Sequence, residues 1–406
     1  MTFTPPSADS GNDGPLAGVR VLAVEQMIAA PWATQMLARL GAEVIKVEHP
    51  TRGESGRAST PFVTDPQGRR VGATFLRNNL DKRSIGIDLD HGFELVAGLA
   101  DHCDVLVENF KAGTLARRGL DYATLAARNP RLIYASITGF GTTTDSPYES
   151  WPAYASIAEA MSGVYEWGRA AGRPPVVNPV GGLGDIGSGM FAVMGILAAL
   201  LQREQTGKGQ HVDIAMFDAM VSITDVVTSL WSLGAREKAP GAILDAFAAR
   251  DGWFVAQVSR EHQFERLAAE IGRSEWLDDT RLSTRQGWVD HLEDVIRPGI
   301  EQWAAGRTKL DACAALAAAG VPCGPCNGAE DVLRDPHLAQ RKMLTTLTAG
   351  EQSYVVPGNP VKLSGYTPPP DHRGPWLGEH TNDILHDLLG LGADEVAALR
   401  ADGTIG

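Results

Sequence analysis

Asp185 sits in the segment GGLGDIGSG (181–189), where five glycines surround one carboxylate. Glycine leaves the backbone open, so a bulky substrate can approach that carboxylate closely. An apolar run follows at once, and a helix starting there sets a partial positive charge beside Asp185. Such a field favours the ionised side chain and any oxyanion developing next to it. That setting suits a carboxylate nucleophile. The competing reading is a helix N-cap, which Asp often is. A cap, however, requires none of the five glycines.

Two other motifs offer different chemistry. Cys323-Gly-Pro-Cys326 has redox spacing, but GVPCGPCNG is punctuated by Gly and Pro and reads as a structural turn. No second C-x-x-C or H-x-x-x-H supplies further zinc ligands, so no metal is expected. Gly182-Leu-Gly184-Asp-Ile-Gly187 satisfies the dinucleotide pattern, but far from the first strand–turn–helix and with a carboxylate inside it. A carboxylate there repels pyrophosphate. The true first turn, EQMIAAP (25–31), has no glycine. NAD is therefore not expected.

Lys+Arg number 36 against 49 Asp+Glu, a net charge of −13. This balance speaks against nucleic acid and against an anionic membrane surface as partners. Cations are scarce, so their placement matters. Lys111, Arg117 and Arg118 follow a strand ending at Glu108, where α/β sheets bind ligands, and suit the phosphates of a nucleotide-like molecule. Four cysteines are too few for a disulfide scaffold. The N-terminus lacks a signal-peptide pattern and the longest apolar run, Met190 to Leu201, is shorter than a bilayer needs, so a cytoplasmic location is expected.

The elements that must position these groups alternate. Val19–Val24, Glu43–Glu48, Ser84–Leu89, Asp104–Glu108 and Arg131–Thr138 read as buried strands. Helical spacing fills Pro31–Leu40, Gly92–Ala100, Tyr122–Ala127 and Ser188–Glu204. This is α/β, a doubly wound sheet with helices on both faces. Residues 233–245 look like a crossing linker. Gly252–Val258 and amphipathic helices near 262–271, 290–304 and 308–319 suggest a smaller α+β domain. Val355–Pro370 reads as extended chain, and a last helix, 381–389, as capped by Thr381. The domain reading is a disordered 1–15, a large domain 16–225, a linker and small domain 226–325, and a returning segment 326–406.

Several blocks, in order, resemble the class III coenzyme A transferases, the formyl-CoA transferase and carnitine dehydratase/bile-acid-inducible group. They are LAGVRVLAVEQMIAAPWATQMLARLGAEVIKVEHP (16–50), NLDKRSIGIDL (79–89), DVLVENFKAGTLARRGLDY (104–122), NPRLIYASITGFG (129–141), GDIGSGMFAVMGILAALLQREQTGKGQHVDIAMFDA (184–219), VPCGPCNGAEDVLRDPHL (321–338) and LGEHT (377–381). The resemblance implies a Rossmann-like large domain with a parallel sheet, a smaller α+β domain and an interlocked homodimer. It implies an acyl-CoA:carboxylate CoA-transferase, with coenzyme A or acyl-CoA and a carboxylic acid as substrates and no permanent cofactor.

Carried over by block, Asp185 is the nucleophile, passing through a mixed anhydride and an aspartyl-CoA thioester. The CoA site takes in Ile28, Ala29, His49, Ile87, Asp88, Leu89, Asp90, Asn109, Phe110, Lys111, Arg117, Thr138, Gly139, Phe140 and Gly141. Tyr154 and Gly184 face the substrate. Some relatives have Gln at the position of Ile28, and Lys and Tyr at Thr138 and Phe140. The glycine-rich flap of formyl/oxalate enzymes has no counterpart in 240–262. The α-methylacyl-CoA racemases of the same group are the alternative. They use a His-Asp pair where this chain has Tyr154-Ala155, and a phenol cannot act as an imidazole base at neutral pH.

Overall fold

The computed structural model describes residues 14–170, 172–178, 182–235 and 241–406. Most of the expected disordered lead-in, part of the expected linker and Gly181 therefore lie outside the described residues. The described chain forms two compact units. One comprises residues up to Ser232 together with Arg341–Gly406, and the other is Leu233–Gln340.

The first unit opens with β1 (Arg20–Val24), α1 (Ala29–Ala38) and β2 (Glu43–Glu48), then a small hairpin, β3 (Phe62–Thr64) and β4 (Arg70–Gly72). It continues with α2 (Ala73–Asn78), β5 (Arg83–Gly86), α3 (Phe93–Asp101), β6 (Val105–Glu108), α4 (Tyr122–Arg128) and β7 (Ile133–Thr138). Helices α5 (Ala155–Met161), α6 (Val164–Trp167) and α7 (Leu183–Thr206) precede β8 (His211–Ala215), α8 (Met216–Ile223) and α9 (Asp225–Ser232).

Six strands make one sheet in the order β5-β2-β1-β6-β7-β8, and every pairing is parallel. Parallel strands are covered on both faces, which is why VRVLAV-type runs lack polar alternation. Val21, Ala23, Val105, Val107, Ile133 and Ala135 face a core shared with α1, α7 and α8. Their neighbours Leu22, Val24, Ile45, Ile85 and Leu106 face a second core with α3 and α4. Ile384, Leu385, Val396 and Ile405, from the far end of the chain, complete that second core.

The chain leaves β1 toward β2 and β5, then returns to β6 on the other side of β1. This reversal opens a crevice at the carboxyl ends of β1 and β6. Asn109 closes it from below. Its Nδ2 donates to Gln26 O at 2.9 Å, and its Oδ1 accepts from Gln26 N at 2.9 Å.

Beneath the first turn lies a buried ionic cluster. The Glu25 carboxylate accepts from Lys82 Nζ at 2.7 Å, Lys46 Nζ at 3.3 Å and Thr34 Oγ1 at 2.8 Å. Burial alone raises a carboxyl pKa, but the two ammonium groups outweigh it and hold Glu25 below its ordinary value. Lys82 itself, stripped of water, is lowered to about 8 despite its partner.

The second unit carries a three-stranded antiparallel sheet of β9 (Ile243–Ala249), β10 (Gly252–Val258) and β11 (Cys323–Pro325). It is packed by α10 (Glu261–Glu270), α11 (Arg285–Asp290), α12 (Arg297–Ala304) and α13 (Lys309–Ala318) around Phe247, Phe254, Trp276 and Trp288. Two short helices, α14 (Ala329–Leu333) and α15 (Pro336–Gln340), end it. Back in the first unit come β12 (Leu344–Ala349), β13 (Gln352–Pro357), α16 (Thr381–Leu389) and α17 (Ala393–Ala401).

Four local expectations are corrected. Part of the expected linker, from Ile243, is strand β9. Cys323–Pro325 is an edge strand rather than a turn, because its backbone pairs with Phe254–Ala256. Thr381 does not cap α16. The cap position is His380, while Thr381 Oγ1 accepts from Gly86 N at 3.1 Å and so ties α16 to β5. The twelve-residue apolar run belongs to α7, which has 24 residues and is long and apolar enough to cross a membrane by length and composition. In this fold α7 lies against α1, α8, β7 and β8.

Glu25→Ala leaves two buried ammonium groups without a counter-charge, and is expected to cost about 3–5 kcal/mol. Urea denaturation measures it. A loss below about 1 kcal/mol would show that the cluster relaxes without its carboxylate.

Candidate active site

Helix α7 begins at Leu183, five residues before the Ser188 start expected from the apolar run. Its N-cap is Gly182, in the left-handed region at φ 77°, with no side-chain cap of its own. The cap arrives from elsewhere. Glu159 on α5, almost wholly buried, accepts from Gly184 N at 3.0 Å through Oε1. Its other oxygen accepts from the Tyr165 hydroxyl on α6.

Asp185 is therefore not the N-cap. It lies within the first turn of α7, half-buried, and no described residue forms a hydrogen bond with its carboxylate. Burial pushes its pKa up to about 6, and the neighbouring Glu159 charge adds to that rise. The Arg77 guanidinium, from α2, pulls the other way. Arg77 is exposed and forms no ion pair among the described residues.

The glycines around Asp185 act in packing. A Cβ on Gly189 would lie 2.9 Å from Ala29 O and 3.0 Å from the Trp32 ring. A Cβ on Gly184 would lie 3.1 Å from the Ala155 backbone. So the N-terminal turns of α1 and α7 run side by side, with α5 against α7. Asp185 Oδ2 and Ile28 Cδ1 flank the same gap, 3.6 and 3.8 Å from the point where Gly182 would carry a Cβ. Two helix N-termini near one carboxylate favour negative charge developing there.

Ile28 and Ala29 are held by a turn with one strained residue. Met27 adopts φ 66°, rare for a side chain of its size, and its N–H donates to Glu54 Oε2 at 2.9 Å. Tyr154 is 73% exposed at the start of α5, next to Ala155 and so beside Gly184.

The remaining candidate residues lie at carboxyl ends of strands, in two further groups. Past β2 and β5, His49 is half-buried, Ile87 and Leu89 turn into the second core, Asp88 accepts from His91 at 2.8 Å, and Asp90 pairs with Arg118. Past β6 and β7, Phe110 N donates to Glu108 at 2.8 Å, and Lys111 with Ser146, Pro147, Glu149 and Ser150 lines a cavity of about 450 Å³. Arg117 is exposed nearby in sequence. Thr138 Oγ1 accepts from Gly141 N at 2.9 Å, which fixes the left-handed turn at Gly141. Gly139 abuts Ala153 so closely that no Cβ fits, and Phe140 is buried against Tyr148 and Phe217.

Sequence reasoning passed over Glu159, Tyr165 and Arg77. Only the fold brings them to Asp185. Glu159 lies 25 residues before Gly184, and no motif joins the two. The G-x-G-x-x-G pattern runs from the N-cap of α7 into its second turn, where Gly184 admits α5 and Gly187 admits α8. In the second unit, Cys323 Sγ donates to Cys313 O at 3.2 Å, and burial raises the pKa of both thiols. Raised thiols are poor nucleophiles.

Residues 16–381 match the model of CoA-transferase family III. The succinyl-CoA:mesaconate CoA-transferase of Haloarcula hispanica is 35% identical, over 94% of this chain and 99% of its own length. The succinate–glutarate CoA-transferase of Agrobacterium fabrum is 35% identical, over 92% of this chain and 96% of its own. The crystal structure of a CAIB/BAIF family protein from Brucella suis superposes with a TM-score of 0.82 at 34% identity, covering 92% of this chain and 99% of that one.

Carboxyl-carbon NMR, with Asp185→Asn as the difference sample, is expected to show Asp185 titrating near pH 6. Titration near 4, roughly the range of a solvated Asp, would mean that neither burial nor Glu159 acts on it.

Proposed function

The chain belongs to CoA-transferase family III, and we propose that Asp185 carries CoA from an acyl-CoA donor to a free carboxylic acid. The observation that carries this reading is the Asp185 carboxylate itself, without hydrogen bonds among the described residues and set between the N-termini of α1 and α7.

Asp185 attacks the donor thioester carbonyl. The C–S bond breaks, leaving a mixed anhydride on the enzyme and CoA thiolate. The thiolate attacks the aspartyl carbonyl, which expels the donor acid as carboxylate and leaves an aspartyl-CoA thioester. An acceptor carboxylate attacks that thioester and expels CoA thiolate, giving a second mixed anhydride. Thiolate attack on the acceptor carbonyl releases the new acyl-CoA and restores Asp185. Each step exchanges one activated acyl bond for another, so no net proton or phosphoryl transfer is needed. Dividing the transfer through a covalent enzyme lowers each barrier.

Ile28, Ala29, Asn109–Lys111 and Thr138–Gly141 form the CoA-binding edge in this reading, with Lys111 and Arg117 supplying charge for phosphates. CoA-transferases of succinate, mesaconate and glutarate among the relatives favour dicarboxylates as the acids. Arg77, exposed and electrostatically coupled to Asp185, is placed to hold the second carboxylate of such an acid. A homodimer fits the apolar side chains left open on the first unit, among them Met190, Met194 and Leu201 on α7.

Incubation with succinyl-CoA alone is expected to add CoA, less one water, to the intact protein, and hydroxylamine should remove it. Asp185→Ala should show no adduct and lose CoA transfer by about a thousandfold or more. Transfer by Asp185→Ala within about tenfold of the parent would end this reading. Arg77→Ala is expected to raise KM for free succinate by about tenfold while leaving KM for a monocarboxylate unchanged. Equal effects on both acids would remove Arg77 from that role.

A further inference from the structure

Glu159 is buried as deeply as the core of the sheet, yet it carries a carboxylate. Buried carboxylates persist where their oxygens are satisfied. Both Glu159 oxygens accept hydrogen bonds, one from Gly184 N and one from the Tyr165 hydroxyl. Neither partner is a cation, and among the described residues no salt bridge explains this residue. The N–H it accepts belongs to the first turn of α7, one of the donors that any helix leaves unpaired. The residue following Gly184 is Asp185.

We propose that Glu159 is the positioning residue of Asp185, capping α7 from α5 so that the adjacent carboxylate stays free of hydrogen bonds and faces a second negative charge. The inference rests on Asp185 as nucleophile. A cap supplied locally, by Ser, Thr, Asn or Asp at position 182, would leave no role for a distant carboxylate. Here position 182 is glycine, and Asp185 is spared for reaction. Repulsion between the two carboxylates raises the energy of free Asp185 and keeps it basic. It vanishes when Asp185 becomes an anhydride or thioester, because both are neutral at that carbon. The enzyme thereby favours acylation without contacting the acyl group.

The other charged groups around Asp185 leave Glu159 as the source of this repulsion. Helix α1 has no titratable side chain. Asp218 on α8 is exposed. Tyr134 of β7 points into the opposite core, and His211 of β8 stacks on Tyr122 there. Asp213 of β8 holds Thr142 and Thr143. Tyr165 and Glu166 lie on α6, the latter paired with Arg169. Arg77 on α2 acts in the opposite sense.

Glu159→Gln separates charge from capping. A carboxamide can still accept from Gly184 N and donate to Tyr165 Oη, so the variant keeps the contacts and loses the charge. The rate of CoA-adduct formation from succinyl-CoA, followed by intact mass from about pH 4.5 to 8, is the measurement. In Glu159→Gln the acid limb is expected to move down by about half a pH unit or more, with the melting temperature near that of the parent. Glu159→Ala, which loses the cap as well, is expected to slow adduct formation at every pH by about tenfold or more. An acid limb in Glu159→Gln that coincides with the parent's overturns the proposal, as does a Glu159→Ala variant as fast as the parent. Adduct formation by Asp185→Ala would instead overturn the nucleophile beneath it, so the two failures are told apart.

Discussion

The candidate active edge of this protein depends on how closely α1 and α7 approach. At Gly189 the backbone of α7 rests against Ala29 O and the Trp32 ring, leaving no room for a methyl group. Further along the helix, a Cβ at Gly195 would come within 2.6 Å of Val212, so α7 also lies directly on β8. Contact at this range fixes the two helices in register. It brings two N-terminal turns to one place, and each contributes unpaired N–H groups and a partial positive charge. Asp185 stands where those fields overlap. A wider helix pair would separate the fields and admit water.

The same place is held from below by hydrogen bonds and ion pairs within the fold. Asn109 joins the turns after β1 and β6 in both directions. Glu54 accepts from Met27 and stabilises a backbone conformation that this residue rarely adopts. Glu25, Lys46 and Lys82, all with fully buried side chains, then lock β1, β2 and the segment before β5 together. Such networks rigidify because each member, once buried, needs all its partners. The reaction proposed for Asp185 would gain from that rigidity, since its attacking atoms must return to the same spot twice.

The large sheet is legible in the sequence because its strands are apolar runs broken by helical spacing, and VRVLAV and EVIKVE have few other stable fates. The glycine-flanked carboxylate is legible for a related reason, since five glycines in nine residues serve no ordinary helix. The remaining information is tertiary. The start of α7 at Leu183 depends on a carboxylate from α5, so no local capping signal exists there. Thr381 has the chemistry of a cap, but β5 claims its hydroxyl. Cys323 and Pro325 suit a turn, but the exposed edge of β10 offers a better partner for their backbone.

The second core is completed by Ile384, Leu385, Val396 and Ile405, side chains from near the end of the chain. Arg39 likewise pairs with Asp371, and the Arg57 guanidinium donates to Pro375 O. The first unit is thus interrupted by Leu233–Gln340 and closed only by Arg341–Gly406. On a ribosome the sheet and its first-face helices emerge early, with the face that receives α16 and α17 still bare. The inserted unit, continuous in sequence, emerges whole before that face is covered. Closure is a late, long-range event of the kind that folds slowly and exposes apolar surface meanwhile. The vulnerable period for this protein is therefore its synthesis, and chaperone demand should peak while Arg341–Gly406 is still being made.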